Sequence, residues 1–277
     1  MSLGQAALMG LLQGLTEFLP VSSSGHLVLM ERVLGIDTPG ITFLVVVHLG
    51  TLVAVLAAYH RELRGILVAF MGVERRPRGV LSGLWHDPGG RLGLLVLLGT
   101  LPTAVIALTF KPYFEALYDL PLAVGVMLLF TGFLLWSAHR AQKGERPAEE
   151  MRVGDALVVG FFQGLAIAPG VSRSAATIAA GLRRGLDREL AAGYSFLLSI
   201  PAITGAALLD LADLLASPGR TVFPPGVLLT GFVVSAVSGF LAIKFLLGVV
   251  KGGRIGYFAY YCWFLGLVVI IWQLLAT

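Results

Sequence analysis

The sequence predicts an all-α polytopic membrane protein: one integral membrane domain, 1–277, with six transmembrane helices and two re-entrant helical hairpins in an inverted-topology repeat. Three observations carry that prediction. Of the 277 residues, 57% are hydrophobic and only 13% charged, where soluble domains carry about 25% charged residues. The stretches 41–59, 92–110, 120–138, 190–211, 225–247 and 255–275 are apolar and close to 20 residues each, long enough to cross a hydrocarbon core of roughly 30 Å as helices. Finally, a polar stretch near the N-terminus, QGLTEFLPVSSSGHL (13–27), returns later as QGLAIAPGVSRSAAT (163–177).

The elements follow in order from the placement of basic residues. Segment 1–30 is apolar but broken from Pro20 to Gly25, and segment 153–181 is broken at Pro169-Gly170. If both turn back instead of crossing, the Lys and Arg residues sort cleanly. Loops 60–91, 139–152, 182–188 and 251–254 hold six, four, three and two of them, whereas segments 31–40, 111–119 and 212–224 hold only Arg32, Lys111 and Arg220. The positive-inside rule assigns the first set to the cytoplasm and the second to the outside. Both termini then lie outside. The first hairpin comes from outside and the second from inside, so repeats at approximately 1–138 and 153–277, joined by the charged loop 139–152, have opposite topology. A weaker echo follows each hairpin, FLVVVHLGT (43–51) and FLLSIPAIT (196–204). Inverted repeats bring their broken segments together near the bilayer midplane.

Other features exclude or leave little. The first 20 residues lack a basic n-region and contain Glu17, so no secretory signal is expected. Cys262 is the single cysteine and lies in an apolar segment, supporting neither a disulfide nor a thiolate metal site. The net charge of +4 resides in the loops flanking the spans and gives no reason to expect nucleic acid. The segment GILVAFMGV (65–73), between basic clusters, is either a membrane-surface element or a short packed helix.

Charged groups at membrane depth cost about 2.5–3.5 kcal/mol each on insertion scales, so Glu17 and Arg173 require pairing, hydration or a function. In the second motif Ser172 can cap a new helix after Pro169-Gly170, presenting free N–H groups beside Arg173, Ser174 and Thr177, an arrangement suited to phosphate. In the first, Gln13 and Glu17 share a helix face, and Ser22, Ser23, Ser24 and His26 crowd the turn beyond Pro20. A carboxylate, hydroxyls and an imidazole around a phosphate site are the parts of phosphoryl transfer or metal-assisted hydrolysis. A purely structural Glu17–Arg173 pair with serine caps is the plainer alternative, and a lipid-phosphate transporter or flippase using the same anion site is the other functional one. His48, within a span, is expected on the cavity wall or bonded to a neighbouring helix.

Together, QGLTEFLPVSSSGH and PGVSRSAAT resemble the two signature motifs of the undecaprenyl-diphosphate phosphatase family, the bacitracin-resistance membrane phosphatases, and the resemblance runs over essentially the whole chain. It implies a multi-pass enzyme of the bacterial inner membrane that removes the terminal phosphate of a polyprenyl diphosphate, regenerating the lipid carrier of cell-wall synthesis at a site open to the outer face. It implies a divalent cation, Mg or Ca, at Glu17 and Gln13. Glu17, Ser23, His26 and Arg173 are the catalytic candidates, with Ser23 as nucleophile. Ser22, Ser24, Gly170, Ser172, Ser174 and Thr177 are the candidates for substrate binding. The polyprenyl diphosphate lipid and the bilayer are the expected partners, with a homo-oligomer left open. Where the family motif allows Glu at its first position this chain has Gln13, an amide that can coordinate a hard cation but brings no charge.

Overall fold

A computed structural model describes residues 1–36, 41–72, 79–118, 120–140, 144–216 and 223–276. Arg75, Arg76, Arg78, Lys143 and Arg220, used above for topology, lie outside the described residues. The described chain is helical: α1 (Leu3–Phe18), α2 (Ser23–Val33), α3 (Ile41–Ala58), α4 (His60–Met71), α5 (Val80–His86), α6 (Pro88–Tyr118), α7 (Pro121–Arg140), α8 (Val153–Leu165), α9 (Arg173–Arg183), α10 (Arg188–Ala216), α11 (Pro225–Lys251) and α12 (Tyr257–Ala276). Five of these (α6, α7, α10, α11 and α12) are each long and apolar enough to cross a membrane, and α3 with α4 forms a sixth candidate bent by 79° at Tyr59.

That bend answers one open expectation and corrects another. The segment 65–73 belongs largely to α4, which leaves the axis of α3 almost at a right angle. The expected loop 60–91 is mostly helical, because Asp87 caps α6 by accepting from the N–H of Gly90 at 2.9 Å and Pro88 begins the first turn. α6 and α10 also run past the expected spans, to Tyr118 and Ala216, and carry Pro102, Pro112 and Pro201 inside them.

Each short hairpin arm lies along a long helix. α1 follows α11, with Gly10 against Gly231 and Gly14 against Ser238; α8 follows α6, with Gly160 against Gly99 and Gly164 against Ile106. These contacts need glycine. A Cβ on Gly10 would stand 2.7 Å from the carbonyl oxygen of Gly231, and small residues are what let membrane helices approach this closely. Lys111 pairs with Asp213 at 3.1 Å, so α6 and α10 end together; Lys251 pairs with Glu189 at 2.9 Å, so α11 ends where α10 begins. α6 and α11 therefore point opposite ways. Since α1 runs with α11 and α8 with α6, the two hairpins come in from opposite ends.

Their caps repeat too. Ser2 and Gln5 form a capping box on α1. At the start of α8, Asp155 accepts from the N–H of Arg152 at 2.9 Å. Asp155 is fully buried and also pairs with Arg146 at 3.0 Å and Arg184 at 2.7 Å, tying the connecting loop to the end of α9.

Candidate functional site

The two hairpin tips meet halfway along their supporting helices. Leu19 ends α1 in an extended conformation ahead of Pro20, and α2 begins at Ser23 with Ser22 as its cap, accepting from the N–H of Gly25 at 3.3 Å. Ser22 has φ 71° and is the one non-glycine in the left-handed region among the described residues; such a conformation costs on the order of 1–3 kcal/mol and persists only where its surroundings enforce it. The second tip turns at Gly170, φ 93°, whose missing side chain leaves room for Val124 of α7. Thr131 of α7 clamps that turn, donating to the Gly170 carbonyl at 2.8 Å and accepting from the Ser172 N–H at 3.0 Å. Ser172 caps α9 through the N–H of Ala175 at 3.2 Å.

Glu17 stands where the tips touch. Arg173 donates from Nη2 to its Oε1 at 2.6 Å, Ser23 donates from Oγ to its Oε2 at 2.7 Å, and Gln13 donates from Nε2 to the same oxygen at 3.0 Å. Four residues from both sequence motifs thus converge on one carboxylate. Two atoms at this junction are buried without a hydrogen-bond partner: Nη1 of Arg173 and Oε1 of Gln13. An arginine with one buried nitrogen engaged and the other unsatisfied is poised for an anion, since leaving such a donor unmade is costly.

The remaining candidates divide. Ser174 is at the junction, donating to the Leu19 carbonyl at 3.2 Å and lying 3.2 Å from the Ser172 hydroxyl. Ser24 lies 3.3 Å from the hydroxyl of Ser22 and is hydrogen-bonded to Tyr118. Gly170 contributes backbone shape. Thr177 is turned away: its hydroxyl donates to the Arg173 carbonyl at 2.7 Å and meets Ser195 of α10 at 2.6 Å, so it joins α9 to α10. The i, i+4 return bond to Arg173 draws the threonine side chain against its own helix, which residue spacing alone does not reveal.

His26 has both ring nitrogens occupied. Nδ1 donates to the Ser22 carbonyl at 2.7 Å, which fixes the tautomer, and Nε2 lies 2.7 Å from the Tyr261 hydroxyl of α12. His48, expected on a cavity wall or bonded to a neighbour, donates from Nδ1 to Leu44 at 2.8 Å and turns Nε2 toward Glu17, 4.0 Å from Oε2. Thr131, Tyr118, Tyr261 and Ser195 were not singled out from the sequence. Each lies in an apolar run with no neighbouring polar residue to draw attention.

The donor set can be tested against a divalent cation. Among the described residues no group of three or more His, Cys, Asp and Glu side chains converges. What is present is one carboxylate, Glu17, and one buried amide oxygen without a partner, Oε1 of Gln13, four residues away on the same helix. Both are hard oxygen donors of the type magnesium and calcium take, so the residues fit such an ion, provided other oxygens complete its shell.

The comparisons agree with this geometry. The family model described as "Bacitracin resistance protein BacA" matches residues 6–268. A curated protein of Carboxydothermus hydrogenoformans named undecaprenyl-diphosphatase is 42% identical over 97% of this chain and 97% of its own length. Proteins of the same name from Desulforapulum autotrophicum, 45% identical over 98% of both chains, and Korarchaeum cryptofilum, 42% identical over 98% of this chain and 99% of its own, match as fully. With both motifs folded into one junction and a family match spanning nearly all of its length, the chain belongs to the bacitracin resistance protein BacA family.

Proposed function

We propose that this multi-pass membrane protein is an undecaprenyl-diphosphate phosphatase, hydrolysing the polyprenyl diphosphate to the monophosphate and inorganic phosphate at the junction of its two hairpins. The observation that carries this reading is the contact of Glu17 with Ser23 and Arg173 beside an unsatisfied arginine nitrogen. A transporter needs an anion site but has no use for a hydroxyl held 2.7 Å from a carboxylate.

In the reaction, Arg173 Nη1 takes the terminal phosphate, and Nη2 holds Glu17 in place. Ser23 Oγ attacks the terminal phosphorus while its proton passes to Glu17 Oε2; the Ser23 O–P bond forms and the bridging P–O bond breaks, releasing the prenyl monophosphate. Water then cleaves the seryl phosphate, returning the proton to Ser23. Arg173 offsets the charge that builds on the phosphoryl oxygens in both steps. Ser174 and the cap of α9 orient the phosphate, and His26 with Tyr261 holds the Ser22 turn that presents Ser23. A bound magnesium or calcium ion would supply charge neutralisation to the diphosphate; Glu17 and Gln13 would hold it, with phosphate oxygens completing its ligands.

The membrane placement belongs to the same proposal. Six spans, with α1–α2 and α8–α9 as re-entrant hairpins of an inverted repeat, would put the junction near the midplane of the bacterial inner membrane, both termini and the site's opening on the outer side. The opposite directions of the two hairpins and the placement of basic residues support it. Phosphate release from undecaprenyl diphosphate by the purified protein, with magnesium or calcium and then with EDTA, tests the reading: metal-dependent release is expected, and a folded protein inert under either ion would overturn it.

A further inference from the structure

A groove of about 280 Å³ separates α3 from α10, lined almost wholly by carbon from Val45, Val46, Leu49, Thr204, Ala207 and Leu208. We propose that this groove takes the head-proximal part of the substrate's prenyl chain, an assignment that rests on the phosphatase reading above. The two helices present stripes at i, i+3, i+4 and i+7 to one another, Thr42–Leu49 and Thr204–Leu211. These stripes are rich in short side chains, so they leave space where leucines would close it.

Position decides the occupant. From Thr42 to Leu49 the groove follows α3 for about 10 Å, and His48 adjoins its lining, one turn from Val45 and next to Leu49. His48 faces Glu17 at 4.0 Å, and it is 36% exposed while Glu17 is 8% exposed. The reactive carboxylate is therefore approached past His48. Its other sides are closed, with Phe18 and Ala54 packed against Gly239 of α11. A diphosphate at Arg173 must trail its chain through an apolar opening, and this groove lies beside that way in. It sits at the small end of the roughly 300–1,000 Å³ of ligand pockets; it accommodates the first units of a long chain, the rest remaining in the bilayer. The groove then contributes to selection for a lipid diphosphate over a soluble one.

The test fills the groove from each wall, with Val45→Trp on α3 and Leu208→Trp on α10, and compares undecaprenyl diphosphate with isopentenyl diphosphate, which has one isoprene unit. Each variant is expected to lower kcat/KM for the long substrate by about tenfold or more, mainly through KM, because buried methylenes lost from an apolar site are worth that much. Turnover of the short substrate, which doubles as the control for folding, should stay close to that of the parent. Equal losses with both substrates would overturn the assignment, as would no loss with either, the result for a groove filled by bilayer lipid. Release from neither substrate by the parent protein would instead overturn the phosphatase reading and remove the groove's role with it.

Discussion

Glu17 is asked to do three things with two oxygens: anchor Arg173, accept from Ser23 and accept from Gln13. The arrangement separates the residues by what their loss should do. Ser23→Ala removes one hydroxyl and no charge, so the protein should fold normally while phosphate release falls by roughly 10³-fold or more, as expected for a nucleophile; a loss under tenfold would assign the attack to water. Gln13→Glu places a second carboxylate beside Glu17. It should lower the magnesium concentration needed for half-maximal release, because ligand charge tightens hard-cation sites; an unchanged metal titration would remove Gln13 from the ion's ligands. The sequence motifs named all four of these residues, because a polar group in an apolar segment is conspicuous. They misplaced Thr177, whose hydroxyl returns to its own helix and to Ser195, a choice made by side-chain rotamer and not by spacing.

Helices set these residues in place through two kinds of contact that were unequally legible. The hairpins could be read in advance, since proline and glycine break them where the polar cluster begins. The glycine contacts could not, because Gly10 and Gly160 look like ordinary residues of an apolar run until their partners Gly231 and Gly99 are beside them. Gly10→Val should wedge α1 from α11 and lower thermal stability by roughly 1–3 kcal/mol, with activity falling as the Glu17 tip shifts; an unchanged melting temperature would contradict the close packing. The start of α8 has a separate dependence on pH. Burial alone would raise the pKa of Asp155, but hydrogen bonds from Arg146, the Arg152 N–H and Arg184 outweigh it and hold the carboxyl below its ordinary value. A depressed carboxyl contributes its stability in full above an unfolded value of about 4 and loses it as pH falls through the lower folded value. Thermal unfolding in detergent should therefore show acid lability that Asp155→Asn reduces, the variant itself being weaker at neutral pH because two arginines lose their shared partner. Identical pH profiles for the two proteins would count against this clasp.

At the scale of the whole molecule, the fold brings two chemically different copies of one motif to a single point. One copy supplies the carboxylate and hydroxyl, the other the arginine and the helix cap, and neither hairpin alone could cleave a diphosphate. Composition and the placement of basic residues made the membrane class and most helices readable. The bend at Tyr59 was not readable, because α4 continues the helical pattern of α3 without a proline or glycine at the break. The proposed topology puts Ser2 outside and Glu145 inside. Cys262 is buried, so single cysteines introduced at those positions in intact cells should react with an impermeant thiol reagent at position 2 and not at 145. The reverse pattern would invert the orientation. The most direct test of the central claim, hydrolysis at the hairpin junction, is the initial rate of phosphate release from undecaprenyl diphosphate in nanodiscs, parent against Arg173→Lys. The lysine keeps the charge beside Glu17 but loses the second nitrogen that would hold phosphate. The account predicts a drop of about 10²–10³-fold with folding intact. A well-folded Arg173→Lys protein that releases phosphate at the parent's rate would contradict it.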